Sequence, residues 1–174
     1  MKQVIKTTAV LLTLTSAAFA ASDGSLGSTS TGELDISITL PEVVRISDMD
    51  DLSFGTYDRS GNETANDNVC IYTNDAQADY RITLTGDGAG NAFTVTDGTN
   101  TVAYAVKWND AQGTGGTSVS TGVALANQTN ANTQDTGCNG GTNANIEVTF
   151  QESALLAAPS GNYSGTLTVM VEPN

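Results

Sequence analysis

The sequence predicts an all-β protein of the antiparallel sandwich class, and three observations lead to this prediction. Short segments in which apolar and polar residues alternate recur along the chain, and this period of two is typical of strands with one buried face. Gly, Asn and Asp residues separate these segments and supply turns. Beyond the N-terminus, no stretch keeps apolar residues at a period of 3.6 over several turns. Many short strands joined by such turns indicate a sandwich.

The first 20 residues have the composition of an export signal. Lys2 and Lys6 form a basic start, the run from Ala9 to Leu14 is apolar, and Ala18-Phe19-Ala20 offers small residues for cleavage. The apolar run is too short to span a bilayer, and no other segment approaches that length. We therefore expect residues 1–20 to be a signal peptide, the rest to be exported as one domain, and no membrane insertion.

The charge balance excludes several classes of partner. The chain carries 6 basic and 19 acidic residues, and loss of the signal leaves only Arg45, Arg59, Arg81 and Lys107 as cations. Binding to nucleic acid or to anionic lipid needs a basic surface, so neither partner is expected. The acidity is interpreted as a source of solubility and mutual repulsion outside the cell.

The first predicted strand follows a small, polar lead-in at residues 21–33, which we expect to be flexible. Leu34, Ile36, Ile38 and Leu40 alternate with polar residues, so an extended segment 34–40 has one apolar face. One interpretation is a strand that inserts into a hydrophobic groove on a neighbouring copy. The other is a first strand paired within its own domain. Pro41, which has no backbone donor, marks the end of this strand.

The other predicted strands share the alternation or a short apolar run, and they lie at residues 43–46, 52–57, 69–72, 80–84, 93–95, 102–108, 123–125, 146–150 and 163–171. Residues 86–91 are a predicted turn, and Asp97-Gly98 predicts a hairpin between two strands. Loops are expected at 58–68, 109–122 and 127–145, and a link at 155–159. The candidate core residues are Leu52, Phe54, Tyr80, Ile82, Leu84, Phe93, Val95, Val102, Tyr104, Val106, Ile146, Val148, Phe150, Leu167, Val169 and Val171.

Chemistry-bearing residues are few. The chain has two cysteines, Cys70 and Cys138, and an even pair in an exported protein predicts a disulfide, with two free thiols as the alternative. There is no histidine, so the usual general base and metal ligand is missing, and we expect neither an enzyme nor a cofactor. Asp48, Asp50 and Asp51 offer oxygen ligands for calcium, but their spacing lacks the order of a calcium loop and favours a solvated turn. Trp108 suits either core packing or a sugar site, and a core position is preferred.

The order of these pieces resembles the archaic chaperone–usher pilus subunits, a group related to spore coat U domains. The resemblance covers most of the chain after the signal. It combines short motifs: the alternating strand 34–40, the sequence DLSFG at 51–55, the cysteine-bearing strand 69–72, the strand 102–106 followed by Asn109-Asp110, and the ending 161–171.

The resemblance implies an immunoglobulin-like sandwich of the pilin type at residues 41–174 that lacks its last strand. In this family a periplasmic chaperone fills the gap during export, and the N-terminal segment of the next subunit fills it in the fibre. Leu34, Ile36, Ile38 and Leu40 would then be donor side chains, and segment 34–40 the donor strand. The terminal strand would border the groove and meet the chaperone through Thr166, Leu167, Thr168, Val169, Met170 and Val171.

The chain departs from the family pattern at one place. Relatives commonly carry a cysteine directly after the donor strand, whereas residues 41–44 here are Pro-Glu-Val-Val, so Cys70 is left to pair with Cys138. The resemblance implies other pilus subunits, a periplasmic chaperone and an outer-membrane usher as partners, and export through the periplasm to the cell surface. The expected function is a structural subunit of an extracellular pilus that serves adhesion or biofilm formation. The alternative is a monomeric secreted sandwich that binds a glycan or a matrix component.

Overall fold

The computed structural model describes residues 21–174, so the signal peptide expected at residues 1–20 lies outside the described residues. The chain divides into two compact units, one ending at Leu40 and the other formed by Pro41–Asn174. In the first unit, Ser22 and Glu33 form an antiparallel bridge in which each backbone N–H donates to the other carbonyl at 3.0 Å. This bridge closes the lead-in into a loop. Residues 34–40 are not paired with any strand of the described chain. A β-strand forms only when it pairs with another strand, so a strand formed by this segment with a neighbouring molecule stays a prediction.

The second unit contains an antiparallel sheet of five strands. All strands of this unit are numbered β1 to β10 in chain order. The spatial order of the five is β1 (Val44–Ser47), β2 (Glu63–Thr73), β9 (Ala144–Phe150), β6 (Ala105–Asn109) and β7 (Thr117–Ser118). The register places Val44 opposite Thr73, and Trp108 opposite Ile146. β2 is the longest strand because it serves two partners in turn: β9 along its first half and β1 along its last four residues.

A second sheet has three strands in the order β10 (Leu167–Glu172), β3 (Tyr80–Gly86) and β8 (Leu125–Gln128). Between β3 and β8 in the sequence, β4 (Thr94–Thr96) and β5 (Thr101–Ala103) form the hairpin that Asp97-Gly98 predicts. Ser164 pairs with Thr96, which ties the approach to β10 to this hairpin. A short helix α1 (Glu152–Ala157) follows β9.

The two sheets share one hydrophobic core, as a sandwich requires. Tyr80 of β3 meets Trp108 of β6 edge to face, with ring centroids 6.3 Å apart, and both side chains are fully buried. All sixteen predicted core residues belong to this cluster or pack against it. Val69, Ile71 and Ala144 are further members, and Trp108 takes the core position rather than a sugar-binding one. The prediction of an all-β sandwich is confirmed.

β2 begins within a stretch that the sequence predicts as loop. Residues 58–68 are polar and turn-rich, yet Glu63–Asn68 pairs with β9. The reason is a polar ladder on the outer face, where the amide of the buried Asn145 donates to the side-chain oxygens of Asn66 and Asn68 at 2.9 Å each. Both donors of this buried amide are satisfied, which favours pairing of a strand whose side chains look loop-like, while its oxygen has no partner within residues 21–174.

Other boundaries differ more modestly from the sequence-based prediction. Residues 52–57 form no strand, although Leu52 and Phe54 are half-buried and Phe54 packs edge to face on Phe150 at 4.9 Å. The predicted strand 102–108 is split at Tyr104 into β5 and β6. The link after β9 contains α1, which is too short for a 3.6 period to stand out in the sequence.

Candidate strand-acceptor edge

β10 runs along one border of the three-stranded sheet. It pairs with β3 over its whole length, from Leu167 opposite Gly86 to Glu172 opposite Arg81. Within residues 41–174 it pairs with no other strand. Since alternate residues of a strand direct their backbone N–H and C=O groups to opposite edges, half of these groups in β10 face away from β3. This second edge of β10 is called the open edge below.

The side chains of β10 alternate in burial. Leu167, Val169 and Val171 are half-buried and pack against the core, while Thr168 and Met170 are exposed. Thr166 lies just before the strand, and its backbone N–H donates to a carboxylate oxygen of Asp87 at 2.8 Å. The structure thus places the whole predicted terminal segment, residues 166–171, at this sheet border. Its role in a groove and in chaperone contact stays a prediction.

β1 contacts β10, and the two strands belong to different sheets. Ile46 of β1 is half-buried and packs against the core as the apolar residues of β10 do. The sequence predicts a strand at residues 43–46 but does not relate it to the predicted groove. Only the fold reveals this placement, because β1 and β10 lie at opposite ends of the domain sequence.

An ion pair marks the C-terminal end of β10. The Arg81 guanidinium Nε lies 3.4 Å from a carboxylate oxygen of Glu172, and both side chains are more than a third exposed. Farther away, the Lys107 ammonium donates to Glu147 at 2.8 Å, and this hydrogen bond lowers the pKa of Glu147. Arg81 and Lys107, two of the few cations, are therefore paired with carboxylates. They form no basic surface, and acidic side chains dominate the charge.

The borders of both sheets other than β10 and β1 are unsuited to strand addition. β7 has only two residues, Thr117 and Ser118, and both are polar and exposed. β8 is irregular: its register with β3 shifts between Tyr80 and Ile82, and Asn127 has a left-handed φ of 59°. Short strands and bulges are recognised ways to prevent pairing at a sheet border. β10 is therefore the longest regular border strand.

The N-terminal unit carries the apolar face that the sequence predicts. Leu34, Ile36, Ile38 and Leu40 are 69%, 88%, 84% and 76% exposed. Most apolar side chains of the second unit are buried or half-buried, so this run of four is the main concentration of exposed aliphatic surface in residues 21–174. Contiguous exposed apolar surface of this kind marks an interaction site.

The predicted disulfide between Cys70 and Cys138 is present, and its Cα atoms are 5.9 Å apart. It fastens the loop before β9 to the end of β2. On the same edge of β2, the side-chain amide of Asn143 donates to and accepts from the backbone of Ile71, at 2.8 Å in both cases. This loop thus acts as a substitute strand where β9 no longer accompanies β2.

Other candidate sites receive no support from the geometry. Within residues 21–174, no three His, Cys, Asp or Glu side chains are grouped so as to hold a metal ion. In the acidic stretch 48–51, the backbone N–H of Asp50 donates to the carboxylate of Asp67 at 2.8 Å. The helices of the described part of the chain are all too short or too polar to cross a bilayer.

No protein-family model and no curated protein matches this chain. Among solved structures, it is similar to a chain of the chaperone–tip adhesin complex of CFA/I fimbriae biogenesis, at 14% identity and a TM-score of 0.50, covering 75% of this chain and 41% of the other. It is also similar to a chain of the CsuC–CsuE chaperone–tip adhesion subunit pre-assembly complex of archaic chaperone–usher Csu pili of Acinetobacter baumannii, at 20% identity and a TM-score of 0.44, covering 77% of this chain and 40% of the other. The chain thus spans about two fifths of the chains it matches. At such identity, the first similarity shows a shared fold, which agrees with the sandwich described above.

Proposed function

We propose that this protein is a structural subunit of an extracellular pilus. Each copy lends segment 34–40 to the open edge of β10 in a neighbouring copy. The observation that carries the proposal is the set of four exposed aliphatic side chains at alternate positions, Leu34, Ile36, Ile38 and Leu40. A chain otherwise rich in polar and acidic surface gains nothing in solubility from such a segment, so we infer that another molecule covers it.

The dimensions of the two partners match. At a rise of about 3.3 Å per residue, Leu34 to Leu40 spans roughly 20 Å and β10 roughly 17–20 Å. Leu167, Val169 and Val171 recur at the same two-residue spacing as the donor side chains. An added strand can therefore place its apolar face toward the core while its backbone bonds to β10, which is how strand addition combines affinity with specificity.

The expected energy is large enough for a durable contact. Burial of four aliphatic side chains contributes roughly 6–12 kcal/mol at ~1.5–3 kcal/mol each, before the cost of ordering the segment. The donor segment and the acceptor edge are different surfaces, so the contact is head to tail. Contacts of this type do not close into a symmetric dimer and build filaments.

The proposed partners follow from the same exposure problem. Before a neighbour arrives, an open edge and an uncovered core invite aggregation, so a periplasmic chaperone is proposed to cover β10 during export. An outer-membrane usher and related subunits complete the proposed pathway to the cell surface, where the fibre serves adhesion or biofilm formation. The shared fold with a chain from a chaperone–tip adhesin complex supports this proposal.

The test compares polymerisation of two double variants of segment 34–40. One carries two aspartates on its apolar face and the other carries two on its polar face. Ile36→Asp with Ile38→Asp places two charges on the apolar face, and we expect loss of polymer while the domain folds with its chaperone. Ser37→Asp with Thr39→Asp adds the same charge to the polar face and should leave polymer intact. SDS-resistant ladders from the first variant would contradict the proposal.

Light scattering on the exported chain separates the proposed function from the alternative. A subunit that forms fibres should give heterogeneous, growing particles. A stable monomer that never polymerises, even at high concentration, would favour a self-contained secreted sandwich that binds a glycan or a matrix component.

A further inference from the structure

Asn74, the residue directly after β2, binds the segment that follows the proposed donor strand. Its side-chain oxygen accepts the backbone N–H of Val43 at 2.8 Å, and its side-chain amide donates to the carbonyl of Pro41 at 2.9 Å. The backbone N–H of Asn74 also donates to the carbonyl of Val43 at 3.2 Å. One residue thus makes three hydrogen bonds to residues 41–43, and this set of contacts is called the Asn74 clamp.

The clamp continues the pairing of β1 and β2 beyond its last backbone pair. Regular pairing ends where Val44 stands opposite Thr73. Pro41 cannot donate to a ladder, so only its carbonyl is available, and the amide of Asn74 uses it. The chain is consequently fastened to the domain as far as Pro41, and no residue lies between this fastened point and Leu40.

The strand end that carries the clamp is itself held on its other edge. The backbone N–H of Thr73 donates to the carbonyl of Asn132 at 3.0 Å, and the N–H of Asn132 donates to Ile71 at 2.8 Å. The loop that contains Asn132 is joined to β2 by the disulfide Cys70–Cys138. Asn74 therefore follows a strand end that is hydrogen-bonded on both edges, to β1 on one side and to the loop containing Asn132 on the other. These bonds restrict the motion of Asn74.

Pro41 restricts the junction from the opposite direction. Its ring fixes its own φ, and its contact with the preceding residue disfavours the helical region for Leu40. Leu40 is thereby biased toward the extended conformation that a donor strand needs. Both sides of the Leu40–Pro41 bond are restricted, one by hydrogen bonds and the other by covalent geometry.

We propose that Asn74 is a positioning residue that fixes the point from which the donor strand leaves its own domain, so that consecutive subunits are joined without a free linker and the fibre is stiff. This inference rests on the proposed function. Without the two side-chain bonds of the clamp, the chain is held only at the Val43 carbonyl, and residues 41 and 42 become a tether whose ends separate by roughly 7–8 Å when flexible. That freedom is enough to let neighbouring domains swing.

The experiment compares fibres from wild-type protein, Asn74→Ala and Asn62→Ala. Asn74→Ala removes both side-chain bonds of the clamp and leaves segment 34–40 unchanged. Asn62→Ala is the matched control, because the Asn62 side chain also accepts a backbone N–H, that of Glu152, far from the junction in sequence. We expect Asn74→Ala fibres in normal yield, with a persistence length at least about twofold shorter in electron micrographs, and Asn62→Ala fibres as stiff as wild type.

A second measurement follows the clamp within the folded subunit. Backbone ¹⁵N relaxation should show greater mobility of Val43 in Asn74→Ala, and an intermediate value in Asn74→Asp, which keeps the acceptor for Val43 and loses the donor to Pro41. Asn74→Ala fibres as stiff as wild type would overturn the inference and leave the proposed function intact. A variant that fails to fold would make Asn74 a structural residue and overturn it as well. Absence of fibres from wild-type protein would instead refute the proposed function.

Discussion

The hydroxyl of Tyr80 donates a hydrogen bond to the carboxylate of Asp110 at 2.6 Å, and this contact joins β3 to the loop that follows β6. Tyr80 is fully buried and packs edge to face against Trp108. The other carboxylate oxygen of Asp110 accepts the backbone N–H of Thr129 at 2.7 Å. One carboxylate thus connects both sheets of the sandwich at the end where β8 stops.

Tyr80→Phe should lower the free energy of unfolding by about 1.5–3 kcal/mol, the range for a hydrogen bond to a charged group. The ring keeps its volume and its contact with Trp108, so no cavity adds to the loss. Urea denaturation of the purified protein measures the change. Tyr72→Phe is the control, because its hydroxyl makes no hydrogen bond to any of residues 21–174, and an equal loss in both variants would contradict the role of Asp110.

The same tyrosine should limit stability at alkaline pH. Burial, followed by the hydrogen bond to Asp110, raises the pKa of Tyr80 well above its ordinary value of 10.0. Below about pH 10 both the folded and the unfolded protein keep this proton, and the stabilisation is complete. Above it, the unfolded chain releases the proton first, so stability falls as pH rises. Thermal unfolding between pH 9 and pH 11 should show a weaker pH dependence in Tyr80→Phe.

Removal of the disulfide should be among the most destabilising changes. Cys70 and Cys138 are 68 residues apart, and closure of a loop of that length contributes roughly 4–5 kcal/mol in the chain-entropy model. The double variant Cys70→Ala/Cys138→Ala avoids a lone thiol and reports the loss as a shift in the urea midpoint. A midpoint close to that of wild type would mean that Asn143 and Asn132 hold the loop without the covalent bond.

The β4–β5 turn should respond to acid through Asp97. The side-chain amide of Asn100, and then the backbone N–H groups of Asn100 and Thr99, hold the pKa of Asp97 at about 2. Because the folded pKa is lowered, this stabilisation is present above the ordinary value of 3.8 and is lost as pH falls toward 2. In Asn100→Ala the Asp97 pKa should rise toward 3.8, which NMR titration of the carboxyl carbon measures. An unchanged pKa would exclude the amide as its main cause.

Two glycines with the same positive φ should tolerate alanine differently. Gly113 and Gly116 both have φ of 85°, so a side chain at either costs about 1–2 kcal/mol in the left-handed region. A Cβ at Gly113 would meet open space, whereas a Cβ at Gly116 would meet the backbone carbonyl of Trp108. Gly116→Ala should therefore destabilise the protein by clearly more than Gly113→Ala in urea denaturation. Equal losses would show that β7 moves away from β6 without penalty.

The sequence predicts the sandwich because its strands follow the period-two rule wherever one face meets the core. Tyr80, Ile82 and Leu84 are an example, since all three are fully buried. It does not predict the first half of β2, where the outer face carries Asn66 and Asn68 and the stabilising amide comes from Asn145, far along the chain. Composition alone cannot reveal such a long-range polar partner.

The candidate site shows the same division. The proposed donor side chains and residues 166–171 are visible as alternation, because apolar faces leave a pattern in the sequence. Asn74 leaves no such pattern, because an asparagine after a strand is ordinary, and its proposed role depends on Pro41 and Val43 lying beside it in the fold. Likewise, the irregular β8 border is not evident in the sequence, because its register shift is defined only against β3, which lies some forty residues earlier in the chain.

The left-handed Asn127 in β8 has a consequence for the shape of any assembly. A sandwich with several regular borders would recruit strands from more than one direction and grow as a branched tangle. Here two of the four border strands of the main sheets are unsuited to pairing, β7 because it is short and β8 because of the irregularity at Asn127, which leaves β10 and β1. These two remaining strands contact each other, so under the proposed strand addition growth is expected through one place per molecule, which would produce single-file threads that do not fuse sideways.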